Sequence, residues 1–170
     1  MLGLLAQIGP LNGNALSQRA DTLIGDYWTL TRSQVYRELQ ALEKMGFISG
    51  GPAGPRSSRP FSLTESGEHA LQSWLVAVPA ADVVRMPILL TMRFGERLPA
   101  ERLRALLMEF AQRHRAKRDY YDQIEQQMRA TDGDAFEIAT VLFGRLFEEA
   151  VESWLDELPR LLPRIFDVED

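Results

Sequence analysis

Cysteine is absent from this chain of 170 residues, and histidine occurs only twice. A chain without cysteine has no disulfides, thiolate zinc sites or cysteine nucleophiles, which agrees with a reducing cytoplasm. His69 and His114 are distant in sequence and lie near no metal-binding motif such as HExxH, so we assign both to a surface or an interface. We therefore expect no metal, no other cofactor and no catalytic residues.

Long apolar runs are also lacking, and none reaches the length that a membrane-spanning helix needs. Residues 1–10 are apolar but have no basic leader, so we expect neither a signal peptide nor a membrane span there. With 45% hydrophobic and 25% charged residues, the composition is that of a globular protein. We expect a cytoplasmic protein with no membrane partner.

Positive charge is scarce overall, because 19 Lys and Arg residues face 24 Asp and Glu residues, which gives a net charge of −5. The deficit does not extend to residues 32–60, which contain five basic and two acidic side chains, a net charge of +3. Binding to a polyanion requires a local basic surface rather than a basic whole. Residues 32–60 are therefore a candidate nucleic-acid-binding segment.

The first third of the chain has the pattern of short helices separated by turns. Apolar residues recur at helical spacing in residues 2–8 and again in residues 16–23. A third helix is predicted to begin at Thr31, which can form a capping box with Gln34, and to end at Gly46. The apolar stripe of this third helix consists of Val35, Leu39 and Leu42.

A β-ribbon and a further helix follow. Residues 47–49 and 61–63 have strand character, and the Gly-, Pro- and Arg-rich residues 50–60 between them predict a long basic tip. Thr64 is a candidate N-cap for a helix that stops at Pro79. Three helices, a β-ribbon and an exit helix together predict a winged helix-turn-helix.

The remainder is almost entirely helical in pattern. An apolar segment over residues 86–94 precedes a long helix predicted from Pro99 to about Ala130, and a last helix is capped by Asp132 or Asp134. We expect a mainly α fold with a small β-ribbon, in which three parts follow one another. They are a winged helix-turn-helix domain (1–78), a linker (79–85) and a helical dimerisation and effector-sensing domain (86–170).

The two long helices carry apolar faces that predict a homodimer. The seam of the first is Leu103, Leu107, Phe110, His114, Lys117, Tyr121, Ile124 and Met128. The face of the second is Phe136, Ala139, Phe143, Leu146, Ala150, Trp154 and Leu158. One antiparallel helix pair cannot cover both faces, so a second chain must, with the polar seam residues His114 and Lys117 fixing the register.

The third helix has a polar stripe with the chemistry of major-groove recognition. At 100° per residue its members lie opposite the apolar stripe, and no carboxylate is among them. The members of this recognition stripe are Ser33, Arg37, Gln40 and Lys44. Arginine pairs with guanine edges, glutamine with adenine, serine with bases or phosphate, and lysine with the backbone.

The tip of the ribbon carries Arg56 and Arg59 beside two serines, between Gly54-Pro55 and Pro60. Arginine on a narrow tip suits the negative potential of a minor groove or of phosphates. This ribbon is therefore a candidate DNA-binding wing.

Several motifs in this region resemble the PadR family of bacterial transcriptional regulators. They are Leu2-Gly3-Leu4-Leu5, Gly9-Pro10-Leu11-Asn12-Gly13, Trp28, the run from Thr31 to Leu39, the run from Leu42 to Ile48, and Leu63-Thr64-Glu65-Ser66-Gly67. The resemblance covers residues 2–75. Residues 86–158 look like the longer helical C-terminal region of the virulence-activator type.

The resemblance implies a dimeric repressor, or less often an activator, that binds a pseudo-palindromic operator in double-stranded DNA and answers to a small aromatic or drug-like effector. It also places a recognition-helix tyrosine near the DNA backbone, which corresponds here to Tyr36. The complete set of expected DNA-binding residues is Arg32, Ser33, Gln34, Tyr36, Arg37, Gln40, Lys44, Arg56 and Arg59.

Less specific explanations remain open. A polar stripe can be a solvated helix face, and a basic tip can be a surface loop with incidental charge. We expect Glu148, Glu149 and Glu152 to form a solvated face rather than a metal or acid–base site. The aromatic residues Trp74, Trp154, Tyr120, Tyr121 and Phe110 are expected in the core or the dimer contact rather than in an effector pocket.

Two rival functions belong to other classes. A winged helix can serve protein contacts alone and bind no DNA, an alternative that the basic recognition stripe disfavours. A small enzyme on a helical scaffold would need a nucleophile and base, a phosphate loop or a metal motif, and the sequence has none of these.

Overall fold

The computed structural model describes residues 1–25, 27–52, 54, 59–79, 81 and 84–166. The chain divides into two compact units, Met1–Asp82 and Val83–Asp170. The N-terminal unit contains α1 (Leu2–Ile8), β1 (Leu11–Asn12), α2 (Gly13–Ile24), α3 (Arg32–Lys44), β2 (Ile48–Gly50), β3 (Pro60–Leu63) and α4 (Glu65–Leu75). The C-terminal unit contains α5 (Pro87–Arg93), a 3-10 turn (Gly95–Arg97), α6 (Ala100–Ala130), α7 (Ala135–Leu161) and α8 (Pro163–Phe166).

The predicted fold class is confirmed, with one addition to the sheet. The two ribbon strands are joined by β1, which pairs antiparallel with β3 so that the strand order is β1-β3-β2. Leu11 lies opposite Phe61, and Ile48 lies opposite Leu63. A strand of two residues shows no alternation of apolar and polar side chains, so the sequence pattern gave no sign of it.

Helix α3 begins and ends where its capping residues predict. The Thr31 backbone N–H donates to Gln34 Oε1 over 2.8 Å, and the Gln34 N–H donates to Thr31 Oγ1 over 3.3 Å, which completes the capping box. After the helix, Gly46 has φ of +77°, a left-handed conformation that favours glycine. The backbone is thereby turned from the helix into strand β2.

The core of the N-terminal unit is entirely apolar. Val35 and Leu39 of α3 are fully buried against Leu16 of α2 and Ile48 of β2. Leu4, Leu5 and Ala20 complete this core. Because α3 buries one stripe in this core, its opposite stripe is left facing outwards.

Gly13, the first residue of α2, allows α2 and α3 to approach closely. A Cβ atom at Gly13 would lie 2.8 Å from the Tyr36 ring and 3.3 Å from Leu39. Asn12 caps the helix by accepting a hydrogen bond of 2.9 Å from the Ala15 N–H. The first two turns of α2 are therefore fitted against the face of α3 that carries Tyr36.

The motif from Leu63 to Gly67 joins the ribbon to the end of the recognition helix. The hydroxyls of Thr64 and Ser66 both donate to the Gly46 carbonyl, over 2.7 and 2.9 Å. The Thr64 N–H donates to the Phe47 carbonyl over 3.1 Å, and a Cβ atom at Gly67 would collide with that same carbonyl. These contacts, which we call the clasp, close the ribbon at its base.

In the C-terminal unit, α6 and α7 form a long antiparallel hairpin. The turn passes through Asp132, whose φ is +54°, and Asp134 caps α7 by accepting from the Phe136 and Glu137 N–H groups. A buried cluster of Leu103, Leu107 and Leu158 holds the open end of the hairpin.

The expectation that the α6 seam meets a second chain is wrong for its buried part, because α7 of the same chain covers it. Tyr121 packs on Gly144, where a Cβ atom would lie 2.7 Å from the ring, and Leu107 packs with Leu158. His114 pairs through Nδ1 with Glu148 of its own chain.

The expectation that the α7 glutamates form a solvated face is also wrong for Glu148. Its side chain is only 3% exposed and lies in the hairpin against His114, while Glu152 pairs with Arg118 over 2.5 Å. Glu148 lies one turn from Gly144, the residue on which Tyr121 of α6 packs, so it also faces α6, and its contact with His114 makes that burial tolerable.

The apolar face of α7 is left largely uncovered within the chain. Phe136 is 84% exposed and Phe143 68% exposed, and Leu146 and Phe147 are also exposed. Wide, contiguous apolar exposure of this kind marks an interaction surface. We call these four residues the α7 face.

Within the described part of the chain, no helix combines the length and the apolar character that crossing a membrane demands.

Candidate nucleic-acid interface

All four residues of the recognition stripe, Ser33, Arg37, Gln40 and Lys44, are exposed. They stand on α3 opposite the buried residues Val35 and Leu39, as the periodicity predicts. Two basic side chains, a hydroxyl and an amide thus share one exposed face of the helix, and no carboxylate lies among them. This arrangement can donate hydrogen bonds to base edges and phosphates along a groove.

The three other expected contacts on α3 differ in what their side chains already do. The Arg32 guanidinium lies 5.7 Å from the centre of the Tyr36 ring, which holds both at the N-terminal end of the helix. The Gln34 side chain is engaged in the capping box and accepts from both the N–H and the hydroxyl of Thr31. Gln34 therefore supports the start of the helix, while Arg32 and Tyr36 keep exposed polar groups.

The two arginines of the ribbon cannot be treated alike. Arg56 lies outside the described residues. Arg59 does not project from a tip: it precedes β3, and its guanidinium lies over Gly50 at the end of the paired strands opposite the clasp, 2.8 Å from Glu43 Oε1. Its Nε and Nη2 donate to the carbonyls of Gly51 and Gly50 over 3.0 and 3.1 Å.

Glu43 was missed as a functional residue by sequence reasoning, because it counted only as one of two acids in a basic segment. In the structure its Oε1 accepts from the Gly50 N–H over 3.0 Å and its Oε2 accepts from Arg59 Nη1 over 3.1 Å. The carboxylate thus joins α3 to both strands of the ribbon. The only sign of this pair in the sequence is that Glu43 precedes the first strand of the ribbon and Arg59 precedes the second.

A cleft lies wholly within the C-terminal unit, between α5 and α6. Its volume is about 400 Å³. Ile88, Leu106 and Phe110 line it with apolar surface, and its charged lining residues are Arg113, Lys117 and Glu109. Phe110 also makes an edge-to-face contact with Trp154, whose ring centre is 6.4 Å away. Of the aromatic residues expected in the core or at an interface, Phe110 and Tyr121 are buried, whereas Trp74 and Tyr120 are exposed.

The comparison with protein families divides the chain as its fold does. The transcriptional regulator PadR-like family matches residues 1–73, and the virulence activator alpha C-terminal family matches residues 84–162. The negative transcriptional regulator PadR of Bacillus subtilis (strain 168) is 25% identical over 175 residues, which cover 96% of each chain.

Solved structures share the fold over nearly the whole chain. Bacillus subtilis PadR in complex with operator DNA gives a TM-score of 0.80 at 24% identity, covering 94% of this chain and 93% of that one. The same protein in complex with p-coumaric acid gives 0.74 at 24% identity, covering 98% and 96%. The Vibrio cholerae virulence activator AphA gives 0.74 at 24% identity, covering 96% of each chain.

These findings confirm the resemblance inferred from the helix and ribbon motifs. The two matched segments lie side by side along the chain and leave only a short stretch between them and the C-terminal end unmatched. The chain is thus a PadR-like transcriptional regulator that joins a PadR-like family domain to a virulence activator alpha C-terminal domain.

Proposed function

We propose that this chain binds a specific operator in double-stranded DNA through α3, and that residues 1–78 form its DNA-binding domain. The observation that carries the proposal is the open, carboxylate-free recognition stripe of Ser33, Arg37, Gln40 and Lys44 on the outer side of α3. Operator DNA bound to Bacillus subtilis PadR, which shares this fold, supports the same use of the domain here. Such a regulator acts in the cytoplasm, where bacterial DNA lies.

The regulator acts as a homodimer joined through residues 86–170. The uncovered α7 face supports this assignment, since a second copy can bury Phe136, Phe143, Leu146 and Phe147. A two-fold dimer presents two α3 helices to half-sites roughly 34 Å apart, so a pseudo-palindromic operator matches its symmetry. Two weak half-site contacts then combine into one strong one.

A small aromatic or drug-like molecule relieves repression by this dimer. Two observations support a ligand: p-coumaric acid is bound in a structure of Bacillus subtilis PadR, and this chain has the cleft between α5 and α6. A cleft of about 400 Å³ is within the range of small-molecule pockets. An apolar wall with two basic side chains, Arg113 and Lys117, against one carboxylate, Glu109, favours an acidic ligand.

The test of DNA recognition is a binding titration on the promoter of the chain's own gene, with a shuffled duplex as competitor. Arg37→Ala removes the longest donor at the centre of the recognition stripe and leaves the buried stripe intact. Loss of a bidentate base contact costs roughly 1–3 kcal/mol, so specific affinity should fall about 5-fold to 150-fold. Glu38→Ala on the same helix is the matched control.

Unchanged affinity and base preference in a folded Arg37→Ala protein would show that α3 does not lie in the DNA groove. Wild-type protein that bound no DNA, specific or shuffled, at low salt would instead favour the rival function of a winged helix that contacts proteins only.

A further inference from the structure

The guanidinium of Arg59 is already occupied by hydrogen bonds within the protein, unlike that of an arginine that is free to bind a phosphate. Its Nε, Nη1 and Nη2 all donate to oxygen atoms of the protein, those of Gly51, Glu43 and Gly50. Its guanidinium carbon also lies 5.7 Å from the centre of the Phe61 ring. To reach DNA, this side chain would have to give up charge-assisted hydrogen bonds to the end of β2 and to α3.

The other half of the arrangement is Glu43, in the last turn of α3. Its carboxylate accepts from Arg59 and from the Gly50 backbone N–H. Both side chains remain about one third to two fifths exposed, so the ion pair by itself stabilises the fold only modestly. It adds a polar tie between α3 and the ribbon at the end of the strands opposite the clasp, beside the buried contact of Ile48 with Val35 and Leu39.

Gly50 supplies a third, independent part. A Cβ atom placed on Gly50 would lie 2.1 Å from the Arg59 guanidinium carbon, so the guanidinium rests directly on the bare backbone of β2. The φ of Gly50 is not in the left-handed region, so the backbone itself does not require glycine there. The open space above its Cα is what the arginine uses.

We propose that Arg59, Glu43 and Gly50 form a lock that fixes the direction of the wing relative to the recognition stripe, so that Arg59 is a positioning residue and not a DNA contact. The proposal rests on the DNA-binding function proposed above. The lock acts at the end of α3 that carries Lys44, one residue from Glu43. Breaking it leaves both the helix face and the ribbon present but no longer held at one angle to each other.

The lock predicts that Glu43→Gln changes operator affinity in the direction opposite to that expected from charge alone. Glu43→Gln removes a negative charge from the basic segment 32–60, which by simple electrostatics should strengthen binding to any DNA. If the carboxylate is part of a lock, specific operator affinity should instead fall roughly fivefold to tenfold, while affinity for shuffled DNA is unchanged or rises. Glu38→Gln, which removes the same charge elsewhere on α3, is the control and should not weaken operator binding.

Three further variants separate a lock from a phosphate contact. Gly50→Ala keeps both charges and displaces the guanidinium, so it should weaken operator binding as Glu43→Gln does. Arg59→Ala should weaken it without changing the slope of log affinity against log salt, whereas loss of a phosphate contact lowers that slope by roughly 0.9. Arg59→Lys should fail to rescue, because lysine keeps the charge but lacks the planar fork that reaches three oxygens.

A measurement without DNA keeps the lock separate from the proposed function. Amide hydrogen exchange at residues 48–51 and 61–63 should become faster in Glu43→Gln, Gly50→Ala and Arg59→Lys, while exchange in α2 is unchanged. Unchanged exchange in the ribbon overturns the lock even if DNA binding is established. Weaker operator binding with a lowered salt slope in Arg59→Ala, together with full rescue by Arg59→Lys, would overturn it too, and would make Arg59 a phosphate contact.

Discussion

The two units of this chain are built on opposite principles. The core of the N-terminal unit is apolar throughout, from Leu5 through Leu16 to Leu39, and its charged side chains lie outside. The C-terminal unit buries Glu125 and Glu148 between its long helices and leaves Phe136 and other large apolar side chains exposed. The difference therefore lies in the interior, since both units leave large apolar side chains exposed, Trp74 and Leu75 on α4 as well as those of the α7 face.

The contrast between the two units is tested most directly by a substitution that makes the α7 face polar. Phe143→Asp should convert the dimer to a monomer and lower operator affinity by roughly 100-fold or more, because two linked half-site contacts become one. Light scattering at micromolar concentration, together with a DNA titration, measures both effects. Met108→Asp is the control, since Met108 on α6 is 66% exposed but lies outside the α7 face.

A wild-type protein that is monomeric at micromolar concentration would contradict the dimer. So would a Phe143→Asp protein that stays dimeric, because the contact would then lie elsewhere.

The apolar N-terminal core should be the more sensitive unit to loss of buried volume. Leu39 is about 1% exposed, so Leu39→Ala should cost roughly 2–5 kcal/mol in the free energy of unfolding of this unit, through lost apolar contacts and the cavity left behind. Urea denaturation, followed through the fluorescence of Trp28 and Trp74 in a Trp154→Phe background, measures the loss. Leu23→Ala, at an exposed site on α2, should cost far less, and equal losses would mean that Leu39 is not a core residue.

Because its interior is polar, the C-terminal unit should have a free energy of unfolding that depends on pH. The guanidinium of Arg145, with that of Arg129, holds the pKa of Glu125 below its ordinary value. A carboxyl group whose pKa is lower in the folded chain than in the unfolded chain stabilises the fold above the unfolded pKa, near 4.5. That contribution disappears as the pH falls through the folded pKa.

Glu125→Gln should therefore weaken the C-terminal unit at neutral pH and flatten its loss of stability in acid. Fluorescence of Trp154 in a background without Trp28 and Trp74 follows this unit. Asp122→Asn, at an exposed carboxylate on the same helix, should leave the profile unchanged. A Glu125→Gln protein with the wild-type profile would show that the pair with Arg145 contributes nothing to folding.

Sequence reasoning succeeded where a single local pattern decides the structure. The capping box at Thr31, the turn at Gly46 and the apolar stripe of α3 each follow from a few neighbouring residues, and all three are present. The two-residue strand β1 is the part of the N-terminal fold that these patterns omit, because pairing with β3 and not its own sequence makes it a strand.

Sequence reasoning failed where the partner of a side chain is distant in sequence. His114 and Glu148 are 34 residues apart, and Arg59 and Glu43 are 16 apart, so no periodicity links either pair. The same limitation assigned the α6 seam to a second chain, although α7 was the nearer partner. A helical face predicts that something covers it and does not identify what that is.

The clasp between Gly46 and the Thr64–Ser66 hydroxyls has a consequence for how such regulators can diverge. It closes the ribbon at its base, so residues added or removed beyond that closure need not disturb the helices that the clasp joins. Loop-closure entropy grows slowly, by only about 0.6 kcal/mol for each doubling of length. The span of DNA that the protein covers can therefore be lengthened or shortened over evolutionary time while the scaffold that carries the recognition helix is inherited intact.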